Sequence, residues 1–124
     1  EAVSVKYDPA QVSYQQLLNV FFTVAHDPTQ FNRQGPDVGS QYRSAIFYMD
    51  GKQQVAAQAF IRQLTDSRIF STPIVTQVAS LEAFYPAEKY HQNYLALHPN
   101  QPYIVINDLP KLEQLRKRFP TLYR

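Results

Sequence analysis

Three short stretches of this chain bring acids, bases and hydrogen-bonding groups close together, and each could carry chemistry. The first is His26-Asp27-Pro28. An imidazole beside a carboxylate suits proton transfer or metal ligation. At a helix end the same residues have plainer work, since histidine complements the helix dipole and Asp before Pro forms turns. On local sequence that structural reading is preferred. The second stretch is NRQGPDVGSQYRS, residues 32–44, with two of the chain's three glycines and Val38 as its one aliphatic residue. Gly35 and Gly39 open backbone conformations closed to other residues, and Pro36 locks a dihedral between them. A loop stiffened in this way can hold Asp37 and Tyr42 in place, as a site requires. It can equally be a tight surface loop whose Asp accepts backbone N–H bonds. Arg33 and Arg43 bracket it, available to Asp37 or to an anionic group.

The third stretch, EAFYPAEKYHQNY (82–94), sets Glu82, Glu88 and His91 among Phe84, Tyr85, Tyr90 and Tyr94. Glu88 and His91 form a single i,i+3 pair, too few ligands for a catalytic zinc. A tyrosine-rich packing helix is the preferred reading, and no metal is expected. The basic C-terminal stretch KLEQLRKRFPTLYR could suggest RNA or an anionic surface. Glu113 interrupts it, and Leu112, Leu115 and Phe119 mark an apolar face, so it reads as an amphipathic helix with a solvated side.

The elements that must position these groups follow from periodicity. EAVSVKYDP alternates and reads as a half-buried strand ended by Asp8-Pro9. Ser13 and Gln16 have capping-box spacing and open a helix with Leu17, Leu18, Phe21 and Val24 or Ala25 on one face, stopped by HDPT. Residues 32–40 read as a loop, and QYRSAIFYM as a strand with Tyr42, Ser44, Ile46 and Tyr48 on one side. Asp50-Gly51 leads into a helix with Val55, Ala59, Phe60 and Leu64 at helical spacing. TPIVTQVASLEAF reads as a strand, PAEKYHQNYLALHP as a short helix opened by Pro86, and QPYIVIND as extended. LPKLEQLRKRFP closes the chain as a helix with Asp108 as its N-cap. Such mixed elements with short connections argue an α+β or α/β layer pair.

The chain has 124 residues, room for one domain and one core. Its net charge of +2 argues for neither a nucleic-acid nor a membrane partner, and no apolar run is long enough to span a bilayer. Cysteine is absent, so these residues supply no disulfide and no thiol nucleophile. The first residue is Glu and the only methionine is Met49. A segment upstream of Glu1 is therefore expected.

Taken in order, HDPTQFNRQGPDVGSQYRSAIFY (26–48), FYPAEKYHQNYL (84–95) and QPYIVINDLPKL (101–112) resemble the A-type peptide methionine sulfoxide reductases. EAVSVKYDP fits directly after the point where that family has a Gly-His-Ala-Glu segment. The resemblance spans essentially the whole chain. It implies an α+β fold, a mixed β-sheet packed with helices in a two-layer sandwich or roll. It also implies reduction of methionine S-sulfoxide, free or in proteins. There a cysteine thiolate attacks sulfur, a glutamate protonates the departing oxygen, and two tyrosine hydroxyls hydrogen-bond that oxygen. The sulfenic acid formed is reduced by further cysteines and thioredoxin, with no metal or organic cofactor. Proton donation to a polarised S–O bond is general acid catalysis, worth about 10²–10⁴-fold, and a thiol is the natural nucleophile.

Carried over by position, Glu1 matches the proton donor, Tyr42 one oxygen-binding tyrosine, Asp37 the pocket aspartate, and His91 resembles a pocket-lining position. The family's Gly-Cys-Phe-Trp segment, with its nucleophile and aromatic platform, has no counterpart here, nor does its second oxygen-binding tyrosine. The resemblance thus implies the C-terminal part of such an enzyme, inactive by itself. Its lost strand and helix would be supplied by an N-terminal segment or by self-association. The alternative is a non-catalytic binding or scaffold module derived from the fold. A third reading, hydrolysis through His26, Asp27 and a serine, lacks a nucleophile elbow. Thioredoxin dependence implies the cytoplasm.

Overall fold

In the computed structural model, residues 2–89, 92, 94–98 and 100–123 are described. The chain folds as two compact units, Glu1–Leu81 and Glu82–Arg124.

Ser13 opens the first helix of unit one. Its hydroxyl accepts from Gln16 N at 3.0 Å, and Gln16 Oε1 accepts from Ser13 N at 2.8 Å, closing the capping box. Helix α1 (Tyr14–Val20) continues into one π-helical turn, Phe21–Ala25, and ends at His26, whose backbone is extended. Leu18 and Phe22, one turn apart, are buried, while Phe21 is only half-buried and stands edge-on to Phe22 at 5.0 Å. Phe22, absent from the face the sequence suggests, is its centre, because α1 meets a second helix along the Leu18–Phe22 line.

That second helix, α2 (Gly51–Ser67), is capped by Asp50, whose Oδ1 accepts from Gln53 N at 2.8 Å. It packs on α1 and on two strands, β3 (Ala45–Tyr48) and β4 (Gln77–Ser80), paired in parallel from Ala45↔Gln77 to Tyr48↔Ser80. Parallel strands need a crossover of this length, and α2 supplies it. Its inward residues are Ala57 and Leu64, with Phe60 and Ile61 partly buried. Val55, expected on this face, is 66% exposed. Phe60 stacks on Phe22 at 5.6 Å, and Ile46 and Val78 close the core from the strands. Helices over one parallel strand pair, together with an antiparallel pair, β1 (Arg33–Gln34) and β2 (Asp37–Val38), make the fold α+β.

The parallel strands are both shorter than the stretches that suggest them, QYRSAIFYM and TPIVTQVASLEAF, since only paired residues keep the ladder. Residues 2–8, expected as a strand, form none: Val3 and Val5 are 86% and 58% exposed, and no described residue pairs with them. Alternation without a partner strand does not make a strand.

In unit two a short helix, α3 (Tyr94–Leu97), is followed by continuous helical backbone from 102 to 118. A π-helical turn, Ile104–Asp108, leads there into α4 (Leu109–Arg118). The expected extended piece QPYIVIND is thus helical. Its β-branched residues find no strand among the described residues of this unit, and Pro102 suits a first helical position. Asp108 is accordingly no N-cap, because the helix has already begun. The π turn widens the register just before Pro110, which has no N–H to give. Pro86 opens no helix. Residues 82–88 are irregular and exposed, so a helix there would gain no burial to repay its nucleation. Ile104 is buried, while Leu112, Leu115 and Phe119 are the half-buried line of the basic helix. The Arg116–Glu113 pair at 3.5 Å lies on its exposed side and contributes little.

One titration belongs to the core of unit one. Burial, then the nearby Tyr7 and Asp50, raise the Tyr14 hydroxyl above its ordinary 10.0. The unfolded chain therefore releases this proton first. The associated stability is fully present below about pH 10 and is lost as pH rises through the folded value. In Tyr14→Phe the denaturation midpoint should decline less steeply above that pH, and identical slopes in the two proteins would refute the assignment.

Candidate functional site

Residues 32–44 are more ordered than a loop. β1 and β2 pair antiparallel, with Arg33 opposite Val38 and Gln34 opposite Asp37. Gly35 (φ +55°) and Pro36 form the connection, with the sign pattern of a type II′ turn. Gly39 takes φ +142°, a backbone conformation that residues with a side chain rarely adopt, so glycine is required by its backbone. Its N–H donates to Asn32 O at 2.8 Å, closing the hairpin base. Its carbonyl accepts from Tyr42 N at 3.0 Å, starting the 3₁₀ turn Ser40–Tyr42. β1 lies against that turn. Asp37 and Tyr42, both half-buried, thus sit on either side of Gly39. Arg33 Nε donates to Gly35 O at 2.9 Å and Arg43 Nη1 to Ser40 O at 2.8 Å, so both arginines brace the loop backbone.

The frame is anchored by His26-Asp27-Pro28, each residue holding a different segment. His26 Nδ1 lies 3.0 Å from Phe21 O, and Nε2 lies 2.6 Å from Ser44 Oγ. A carbonyl only accepts, so in the neutral ring Nδ1 carries the proton and Nε2 accepts from Ser44. Ser44 Oγ is also 2.7 Å from Thr76 Oγ1, and Ser44 O accepts from Gln77 N at 3.0 Å. Gln34 clamps Asp27: its Nε2 donates to Asp27 O at 2.8 Å while its Oε1 accepts from Asp27 N at 3.1 Å. Pro28 is fully buried, and its carbonyl accepts from Val75 N at 2.8 Å. Three consecutive residues thereby hold the entry to β3, the hairpin and the entry to β4.

His26 and Ser44 do meet as a serine–histidine pair, yet not as a hydrolytic one. Ser44 is 4% exposed, the ring's Nδ1 faces a carbonyl, and Asp27 Oδ1 is turned to Thr29 N and Oγ1 at 2.9 and 2.6 Å. Gln34, Ser44 and Thr76 are the polar anchors that sequence reasoning missed. The available signal was a lone serine aligned with Ile46 and Tyr48, since a buried hydroxyl demands a partner. Two residues expected at the site, Glu1 and His91, lie outside the described residues. Glu82 and Glu88 are exposed. Among the described residues no group of three or more His, Cys, Asp or Glu could hold a metal ion. No helix among them is long and apolar enough to cross a membrane.

The arrangement defines an α+β protein that presents a carboxylate and a phenol from one rigid hairpin-and-turn. The family model described as peptide methionine sulfoxide reductase matches residues 1–122, and the chain belongs to that family. It is 53% identical over 123 residues to "Peptide methionine sulfoxide reductase MsrA 2" of Mesorhizobium japonicum, spanning 99% of this chain and 63% of that protein. It is 52% identical to the Synechocystis protein of the same description, across 96% of this chain and 56% of that one. Among solved structures it resembles Mxr1 from Saccharomyces cerevisiae in reduced form, at 34% identity and a TM-score of 0.71. That likeness covers 77% of this chain and 51% of Mxr1. The chain thus spans between 51% and 63% of the length of these relatives, and the shared structure agrees with the α+β class expected from sequence.

Proposed function

We propose that this chain forms part of the sulfoxide-binding side of a methionine S-sulfoxide reductase. The observation that carries this reading is the braced hairpin-and-turn bearing Asp37 and Tyr42, in a chain of that family. A sulfoxide oxygen is a strong acceptor with partial negative charge, and a phenol held on a rigid turn is a suitable donor. Tyr42 O–H donates to that oxygen as the S–O bond breaks, and Asp37 orders the polar groups around it. The proton-donor role of Glu1 and the substrate-binding role of His91 are carried into this reading from the family resemblance by position alone.

The reaction balances with a thiol: the thiolate attacks sulfur, the oxygen passes to the thiol sulfur as a sulfenic acid, and a thioether is released. A dithiol then returns the sulfenic acid to thiol, forming a disulfide and water. The nucleophile comes from outside these 124 residues, which hold no cysteine. A thioredoxin-type reductant, methionine sulfoxide free or in proteins as substrate, a role under oxidative stress and a cytoplasmic setting belong to this reading.

A second reading is a module derived from the same fold that binds sulfoxides or serves as a scaffold without reducing them. Incubating the product of the full reading frame with a methyl aryl sulfoxide and a dithiol separates the two. The reductase consumes the S-enantiomer and leaves the R-enantiomer. Binding without turnover would establish the module, and neither binding nor turnover would sink the sulfoxide reading.

A further inference from the structure

We propose that His26, through Ser44, is a positioning residue for sulfoxide recognition: the His26–Ser44–Thr76 hydrogen-bond chain sets where the Tyr42 hydroxyl stands. This rests on the reading of Tyr42 as an oxygen-binding tyrosine. Tyr42 lies between two backbone anchors. On one side is Gly39, tied to Asn32 O at 2.8 Å and accepting from Tyr42 N at 3.0 Å. On the other is Ser44, with Arg43 alone between it and Tyr42. Arg43 is extended (φ −67°, ψ 148°), so a shift of Ser44 is passed on to Tyr42.

Ser44 is held at several points. Its hydroxyl lies 2.6 Å from His26 Nε2 and 2.7 Å from Thr76 Oγ1, and its carbonyl accepts from Gln77 N at 3.0 Å. A backbone ladder bond alone would fix the strand but leave the side chain free to turn. The short hydroxyl chain removes that freedom, and at 4% exposure water cannot replace either partner. His26 is itself immobilised, its Nδ1 at Phe21 O and its ring 4.3 Å from the Phe21 ring. The neighbouring Asp27 takes the Gln34 clamp, and Gln34 stands opposite Asp37 in the hairpin. One rigid corner therefore registers both groups that would face the sulfoxide oxygen.

The test is a double-mutant cycle in the product of the full reading frame. Binding of N-acetyl-methionine S-sulfoxide is followed by its methyl resonance without reductant, with the R-epimer as control. Tyr42→Phe and Ser44→Ala should each weaken binding about tenfold, and their combination should be no weaker than Tyr42→Phe alone. Thr76→Val should reproduce part of the loss and Thr76→Ser should restore it. Ring ¹⁵N shifts at a pH where His26 is neutral should show the Nδ1–H tautomer in the parent protein and a changed Nε2 shift in Ser44→Ala. Additive losses in the double mutant, or unchanged binding in Ser44→Ala, overturn the positioning role while leaving the sulfoxide reading intact. Unchanged binding in Tyr42→Phe sinks both. Should Ser44→Ala fail to fold, the cycle with Thr76→Val carries the same outcomes.

Discussion

Tyr42→Phe, made in the product of the full reading frame, is expected on the proposed sulfoxide reading to lower kcat/KM for a methionine S-sulfoxide by about 10²-fold, the usual cost of removing one preorganised donor from a developing oxyanion. The change deletes only a hydroxyl. The half-buried ring keeps its packing, and the 3₁₀ turn keeps its Tyr42 N to Gly39 O bond at 3.0 Å. Melting temperature should therefore move little while activity collapses, so a thermal scan beside steady-state rates with a dithiol checks the claim. The loss should divide about equally between binding and kcat, because the hydroxyl donates to the bound sulfoxide and donates more strongly as the S–O oxygen gains charge on bond breaking. Asp37→Asn tests the companion role, with a smaller loss, since an amide still accepts hydrogen bonds but carries no charge. Full activity in Tyr42→Phe would remove this tyrosine from the chemistry.

The largest effect on stability is expected at Phe22. Phe22→Ala should destabilise unit one by about 3–5 kcal/mol, the range for large aromatic truncations in cores. Phe22 is fully buried, stacked on Phe60 at 5.6 Å and edge-on to Phe21 at 5.0 Å, so truncation opens a cavity between the two main helices. Domains of this size are stable by about 5–15 kcal/mol, so the variant approaches unfolding at ordinary temperature. With no tryptophan in the chain, far-UV circular dichroism against urea is the suitable measurement. A midpoint within error of the parent would mean that Phe22 does not centre the core. The π turn before His26 makes this a functional matter too. Loosening Phe22 also loosens Phe21, whose carbonyl faces the His26 ring.

Local signals were reliable where the chemistry was local. Ser13 with Gln16 announced a capping box, Asp50 announced the start of α2, and HDPT announced a helix stop, because each depends on residues within one turn. The polar stretch around Gly35 and Gly39 was legible as rigid, and both glycines do take positive φ. Signals that needed a distant partner misled. Residues 2–8 alternate like a strand and pair with no described residue. QPYIVIND looks extended yet is helical, and Val55 keeps helical spacing but faces water. Propensity and alternation describe what a residue tolerates, and the available neighbours decide what it does.

The order of amino acids alone yields the family, the α+β class, the absence of a thiol from these residues, and Asp37 and Tyr42 as the groups to test. Those follow from residue identity and order, which no packing alters. It takes the folded chain to show that His26, Asp27 and Pro28 each hold a different segment, reaching Ser44, Gln34 and Val75. His26 and Ser44 are eighteen positions apart, and Ser44 meets Thr76 thirty-two further on. Hydrogen bonds at such separations leave no periodicity to detect. They form because the α1–α2 core brings the helix end to the two strand entries, where a buried hydroxyl must find its partners in protein and not in water.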